Sequence, residues 1–267
     1  MSLFTVPIAT GGSFECTSPA DRVYLLSFNS PPDNRQTTAF IDAFSLALDI
    51  IEEKLPIGVL MTTSKIPKFY SNGLDLEHAM TTEGFWAKTY WPFWKRLLTF
   101  PMPTVALLNG HAYAGGLFVA LLHDYRIQNP SKGYLCLNEV HFGAWLPAPM
   151  ASIVKHKVGN PATVRDLITA GRRFDSTEAL AAGIIDATGG IDEALTFIEK
   201  RSLVKLGQTH VYASLKEEVY NETVRVLESH DENEKVRLDR LTEREGMDAE
   251  RGRRVGAWEK SQGGSKL

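Results

Sequence analysis

Apolar residues along the chain follow two periods. Arg22–Phe28 is dense in β-branched, aromatic and leucine residues and reads as a strand, closed by turn chemistry at Pro31-Pro32-Asp33-Asn34. Phe40, Ile41, Phe44, Leu48 and Ile51 then recur at three- and four-residue steps, predicting a helix that Pro56 ends. Gly58–Thr63 and Thr104–Leu108 are short apolar runs suited to buried strands. Between them lie a loop, Ser64–Asp75, and an aromatic-rich helix over about 83–99. Gly110–Gly116 is a turn of glycine and alanine that opens a helix at Leu117. Tyr125–Gln128 and Gly133–Cys136 read as strands. Beyond them the pattern is helical: 147–158, 162–170, 176–182, 192–205 and a long charged segment over about 210–258. Ser176 and Asp192 are the expected N-caps. Strand and helix thus alternate first, and helices close the chain, which is an α/β pattern.

Composition narrows the classes. An apolar fraction of 43% and a charged fraction of 23% are ordinary for a globular chain of 267 residues. A net charge of −3 gives no general electrostatic case for nucleic acid. No apolar run reaches the roughly 18 residues that a membrane-spanning helix needs. Residues 1–12 lack the basic start and long apolar stretch of a secretory signal. Cys16 and Cys136 are too far apart in sequence for a disulfide framework or a metal-ligand pair, which fits a reducing compartment. No histidine pair has metal-ligand spacing, so no metal is expected. The charges of 217–260 read as a solvated helix face or as an oligomer edge.

Three segments could carry chemistry. In Phe69–Leu76, Gly73 permits a turn that leaves the Leu74 N–H free to face a cleft; an ordinary loop is the plainer alternative. Asn109–Leu117 runs from a strand into a helix, and the small residues Ala114, Gly115 and Gly116 let a ligand approach backbone N–H groups. It is neither a dinucleotide fingerprint, nor a Walker loop, nor a nucleophile elbow. Glu139 sits among Tyr134, Leu135, Leu137, Val140, Phe142 and Trp145, where lost hydration would raise its pKa and make it a base at neutral pH. The aromatic group Phe85, Trp86, Tyr90, Trp91, Phe93 and Trp94 is too broad for one helix face, so it serves as core, as the wall of an apolar tunnel, or as both.

These segments, in this order, resemble the crotonase (enoyl-CoA hydratase/isomerase) superfamily. The matching stretches are Tyr70–Leu76, Pro103–Gly116, Asp124–Ile127, Leu137–Glu139 and Ala179–Asp186, within a region of about 13–200. The resemblance implies a spiral of ββα units over 1–200, a C-terminal helical trimerisation region over 201–260, and a tail at 261–267. It implies an acyl-CoA thioester substrate, with CoA as part of the substrate and no separate cofactor. The N–H groups of Leu74 and Gly115 would form an oxyanion hole. Ser71, Asn72, Gly73 and Asp75 would contact CoA, Asn138 would lie near the reacting centre, and Glu139 would be the catalytic carboxylate.

The resemblance also discriminates among reactions. Hydratases of the family carry a second glutamate at the position held here by Phe118, and dienoyl isomerases carry a further acid at the position of Pro147. A lone glutamate is similar to the monofunctional Δ3,Δ2-enoyl-CoA isomerases. Phe118 would then be an apolar wall beside the substrate. A hydratase or thioesterase using Asp75 or Asp124, or a non-catalytic acyl-CoA-binding protein, are the other readings. Ser265-Lys266-Leu267 matches a peroxisomal address, read by an import receptor and accessible on Ser261–Gly264. With acyl-CoA chemistry this implies β-oxidation of unsaturated fatty acids in the peroxisome, by a trimer or dimer of trimers.

Overall fold

The short apolar runs of the first half become a seven-stranded sheet and a smaller sheet beside it. The computed structural model describes residues 2–261, so the tripeptide 265–267 lies outside the described residues. Strands β1 (Ser2–Pro7), β2 (Ser13–Ala20) and β3 (Val23–Asn29) form an antiparallel meander. Strands β4 (Val59–Ser64), β6 (Thr104–Leu108), β8 (Tyr125–Gln128) and β10 (Ala187–Thr188) extend it in parallel. The smaller sheet is β5 (Phe69–Ser71), β7 (His111–Tyr113) and β9 (Leu135–Cys136), all parallel. The chain therefore visits the large sheet, then the small one, then a helix, three times over, which is the expected spiral of ββα units.

The helices are α1 (Thr38–Lys54), α2 (Leu76–Thr81), α3 (Trp91–Leu98), α4 (Gly115–Leu122), α5 (Ala148–Lys157), α6 (Pro161–Thr169), α7 (Ser176–Ala181), α8 (Ile191–Lys200), α9 (Leu203–Gly207), α10 (Tyr212–Glu228) and α11 (His230–Ser261). In α1 the periodic residues Phe40, Ile41, Phe44, Leu48 and Ile51 are all buried, and the Thr37 side chain caps the first turn. Burying each such side chain contributes about 1.5–3 kcal/mol. One core holds the aromatic rings of Phe14, Phe28, Phe44, Tyr70 and Trp94. The other face of the large sheet packs Val59, Met61, Val105 and Ile127 against Ile198 and Leu203. Both faces are covered, so β6 is buried at every residue, as a parallel strand must be.

Several local expectations shift. Strands β1 and β2 carry a weaker apolar signal than β3 and are found only by pairing. The helix expected over 83–99 is a π-helical turn, Phe85–Tyr90, followed by α3. This change of pitch buries Phe85, Tyr90, Trp91, Phe93 and Trp94 together and leaves Trp86 at the edge of the core. The N-cap of α7 is Asp175, in a capping box with Glu178, while Ser176 donates to the Pro130 carbonyl. The N-cap of α8 is Gly190, not Asp192, with Glu193 reaching back to the Gly190 N–H. The expected helix 192–205 breaks at Ser202, whose φ is +54°.

The chain divides into two compact units after Glu228. The first unit contains everything through α10. The second contains α11, whose Leu238, Leu241, Met247, Val255 and Trp258 are exposed. Among the described residues no helix is long and apolar enough to cross a membrane.

Candidate active site

The three strands of the small sheet run parallel and end together, so the segments beyond their C-terminal ends are brought side by side. Ligand sites of open parallel sheets form at such ends. Beyond β5 comes Asn72-Gly73-Leu74, beyond β7 comes Ala114-Gly115, and beyond β9 come Asn138 and Glu139. The register that does this is Ser71 opposite Ala112 and Tyr113 opposite Cys136. The Ala114 N–H donates to the Cys136 carbonyl at 2.9 Å and locks the second turn to the third.

The two glycine turns nearly touch. A Cβ on Gly73, whose φ is +87°, would lie 2.8 Å from the Gly115 nitrogen. A Cβ on Gly115 would lie 3.1 Å from the Leu74 nitrogen. A side chain is excluded at Gly73 and crowded at Gly115, and the two amides are thereby neighbours. Neither the Leu74 N–H nor the Gly115 N–H has an acceptor among the described residues. Gly115 is the first residue of α4, where an N–H has no intrahelical partner. Ala114, just before it, holds a φ of +47° that costs a side-chain-bearing residue energy, and such strain gathers at functional turns.

Glu139 opens a short 3₁₀ turn, Glu139–His141. Its Oε2 and the Oδ1 of Asn138 are buried with no hydrogen-bond partner among the described residues. Burial pushes the Glu139 carboxyl up from 4.5 to about 7, against a smaller opposite pull from its own backbone N–H. Buried polar atoms are normally paired, so these two, on adjacent residues, are available to a bound partner.

Glu139, Asn138, Gly115, Ala114, Leu74 and Asn72 line one cavity of about 350 Å³. Its remaining walls are mainly apolar: Leu76, Met80, Trp86, Phe142, Trp145 and Met150 among them. Glu139 is the one carboxylate and Arg35 the one cation among the lining residues. A carboxylate with a raised pKa that shares an apolar cleft with two neighbouring unpartnered N–H groups suits proton removal from a carbon next to a carbonyl, if both donors meet the enolate oxygen.

Not every expected residue meets the cavity. Phe118 does not line it: the ring is fully buried in the core, 5.3 Å from the Trp94 ring, because it faces away from the turn that opens α4. Ser71 is buried and donates to the Asn34 carbonyl. Asp75 caps α2 by accepting the His78 N–H, and it too is absent from the lining, as is Gly73. Asp124 lies in a buried ion pair with Lys216 at 2.9 Å, outside the cavity. Of the four residues expected at CoA, Asn72 alone lines the cavity.

Two residues that the sequence pattern did not single out matter here. Arg35 donates to the Leu74 carbonyl at 3.1 Å and pairs with Asp33. Gln36 makes a parallel bridge with Leu74. Both follow a turn signal, which says where a strand ends and nothing about what the next residues reach. Cys16 and Cys136 are buried free thiols, and no cluster of metal ligands occurs among the described residues.

Comparison with known proteins places the chain in a family. The sequence pattern of the enoyl-CoA hydratase/isomerase family matches residues 20–253. Enoyl-CoA delta isomerase 3 of Arabidopsis thaliana is 31% identical over 219 residues, covering 77% of this chain and 92% of the relative. Enoyl-CoA delta isomerase 2, peroxisomal, of the same plant is 30% identical over 219 residues, covering 77% and 91%. The crystal structure of human mitochondrial delta3-delta2-enoyl-CoA isomerase has the same fold, with a TM-score of 0.70 at 24% identity over 91% of this chain and 98% of that one.

Proposed function

The chain belongs to the enoyl-CoA hydratase/isomerase family, and we propose that within it the protein isomerises 3-enoyl-CoA to 2-trans-enoyl-CoA. The observation that carries this reading is that Glu139 is the single carboxylate lining the cavity. Hydration needs one group to activate water and another to protonate carbon. Moving a double bond needs one base on one face.

Glu139 removes a proton from C2 of the 3-enoyl thioester. The C–H electrons form the C1–C2 double bond of a dienolate, and the thioester oxygen takes the negative charge. The Leu74 and Gly115 N–H groups hold that oxygen. The protonated Glu139 then returns the proton at C4, the electrons collapse to the 2-enoyl thioester, and the carboxylate is regenerated. A pKa of about 7 lets the same group take and give the proton near neutral pH. Removing one oxyanion donor typically costs about 10²–10³ in rate. Trp86 and Met150, the more buried of the apolar wall residues named above, would keep water from the dienolate. Asn138 would orient the thioester, and Asn72 with Arg35 would meet the CoA arm. The exposed apolar residues of α11 would serve subunit assembly, and Ser265-Lys266-Leu267 would direct the protein to the peroxisome through its import receptor.

The test is a coupled assay on 3-enoyl-CoA esters of several chain lengths, run beside hydration of 2-enoyl-CoA. Migration of the double bond without 3-hydroxyacyl-CoA is the expected result. Glu139→Gln should lower kcat by about 10²–10⁴-fold with little change in KM. Hydration at a rate comparable to isomerisation, or a Glu139→Gln variant of near-normal rate, would overturn the reading.

A further inference from the structure

We propose that Gln36 is a positioning residue that sets the spacing of the two cavity amides, with Tyr90 as its brace; this rests on the oxyanion role proposed above. The backbone of Gln36 grips the first turn on both sides of Leu74. Its N–H donates to the Gly73 carbonyl at 2.9 Å, and its carbonyl accepts from the Asp75 N–H at 3.5 Å. In a parallel bridge this pattern leaves the polar groups of the residue opposite facing the other way. The Leu74 carbonyl is then taken by Arg35, and the Leu74 N–H remains for a ligand.

The side chain of Gln36 acts on the second turn. It is 1% exposed, and its Nε2 donates to the Ser71 Oγ at 3.4 Å. The Ser71 Oγ in turn accepts from the Gly73 N–H at 3.1 Å. The Gln36 Oε1 accepts from the Tyr90 hydroxyl at 3.0 Å. A Cβ on Gly115 would meet the Gln36 Oε1 at 3.0 Å and the Tyr90 oxygen at 3.1 Å. The amide and the phenol thus form the floor on which the Gly115 turn rests, while the Gln36 backbone holds the Leu74 turn. One residue spans both halves of the pair. The Tyr90 hydroxyl matters because its hydrogen bond fixes the orientation of the Gln36 amide under the Gly115 turn.

The experiment compares wild type, Gln36→Leu and Tyr90→Phe. Gln36→Leu keeps the side chain's bulk and the backbone bridge but makes no side-chain hydrogen bond. Tyr90→Phe removes one oxygen. Two readouts are taken on each protein. The first is the steady-state kinetics of double-bond migration, resolved into kcat and KM. The second is the ultraviolet absorption of a bound conjugated dienoyl-CoA, which moves to longer wavelength when its carbonyl is polarised. Both variants should lose up to about 10²-fold in kcat with KM nearly constant, and the wavelength shift should shrink, since misplacement by about 1 Å has effects of that size. An intact shift and kcat in the variants would overturn the role of Gln36 while leaving the isomerase reading in place. A wild-type enzyme that binds the probe without any shift would overturn the oxyanion role, and this inference with it. If Gln36→Leu does not fold, Tyr90→Phe decides alone: an unchanged kcat and shift would refute the brace.

Discussion

Helix α4 has a different kind of polar site at each end. At its N-terminus the Gly115 N–H, the Leu74 N–H and the Glu139 Oε2 have no partner among the described residues. Past its C-terminus, His123 and Asp124 belong to a buried network in which partners abound. The Asp124 Oδ2 accepts from the Lys216 Nζ at 2.9 Å, the Thr104 N–H at 2.9 Å and the Tyr212 hydroxyl at 3.3 Å. Lys157 donates to the His123 carbonyl and to the Tyr220 hydroxyl. The two carboxylates respond in opposite directions. Burial raises both, but at Asp124 the ammonium groups of Lys216 and Lys157 outweigh it and hold the acid below its ordinary value. At Glu139 burial is opposed only by its own backbone N–H, and the value climbs to about 7. Burial of an acid alone therefore does not single it out; the absence of partners and the shared cavity are what make Glu139 the candidate base.

The strongest way to break this contrast is Asp124→Asn. It leaves Lys216 buried without its paired carboxylate and should cost about 3–5 kcal/mol of stability, measured by denaturant unfolding. A loss below about 1 kcal/mol would mean that the network is not paired as described. Next comes Gly115→Ala, whose Cβ must displace groups only 3.0–3.1 Å away. We expect about a 10²-fold fall in kcat with the fold intact by circular dichroism.

Two smaller effects sharpen the comparison. The base must be ionised to act, so kcat/KM should rise about tenfold per pH unit below pH 7 and level off above it, following the value of about 7 at Glu139. A profile that levels off near pH 4.5 would show an ordinary carboxylate. The same shift has a sign for stability. A folded-state pKa above the ordinary 4.5 means that the neutral acid is favoured by the fold. That contribution is complete below about pH 4.5 and is lost as pH rises through about 7. Glu139→Gln should accordingly melt above wild type at pH 8, by about 2–4 °C per kcal/mol relieved, and equal it near pH 4.5.

Much of this was legible along the chain because the signals are local. The period of Phe40 to Ile51 specifies α1, and the run Thr104–Leu108 specifies a buried parallel strand. Gly73 is legible because it permits a turn that other residues resist, and Gly115 because small residues let a ligand approach the backbone. Glu139 stood out because its neighbours are apolar. The pattern does not place Phe118, because a residue one turn into a helix points to core or cavity according to how the helix is rotated, and α4 is apolar on every side. Ser71 and Asp75 lie in the right segment but spend their side chains on the turn itself.

The sequence by itself determined which segments are strand, helix and tight turn, that one acid sits in apolar company, and which family the pattern belongs to. Those properties depend on neighbours within a few residues or on ordered motifs. Only the tertiary structure decided that the two amides are neighbours, that Glu139 shares their cavity with no second acid among the described residues, and that Gln36 and Tyr90 stand behind them. Those contacts join residues 36, 74, 90, 115 and 139, and their geometry follows from the register of the small sheet and the pitch of a π-helical turn, neither of which a local pattern encodes.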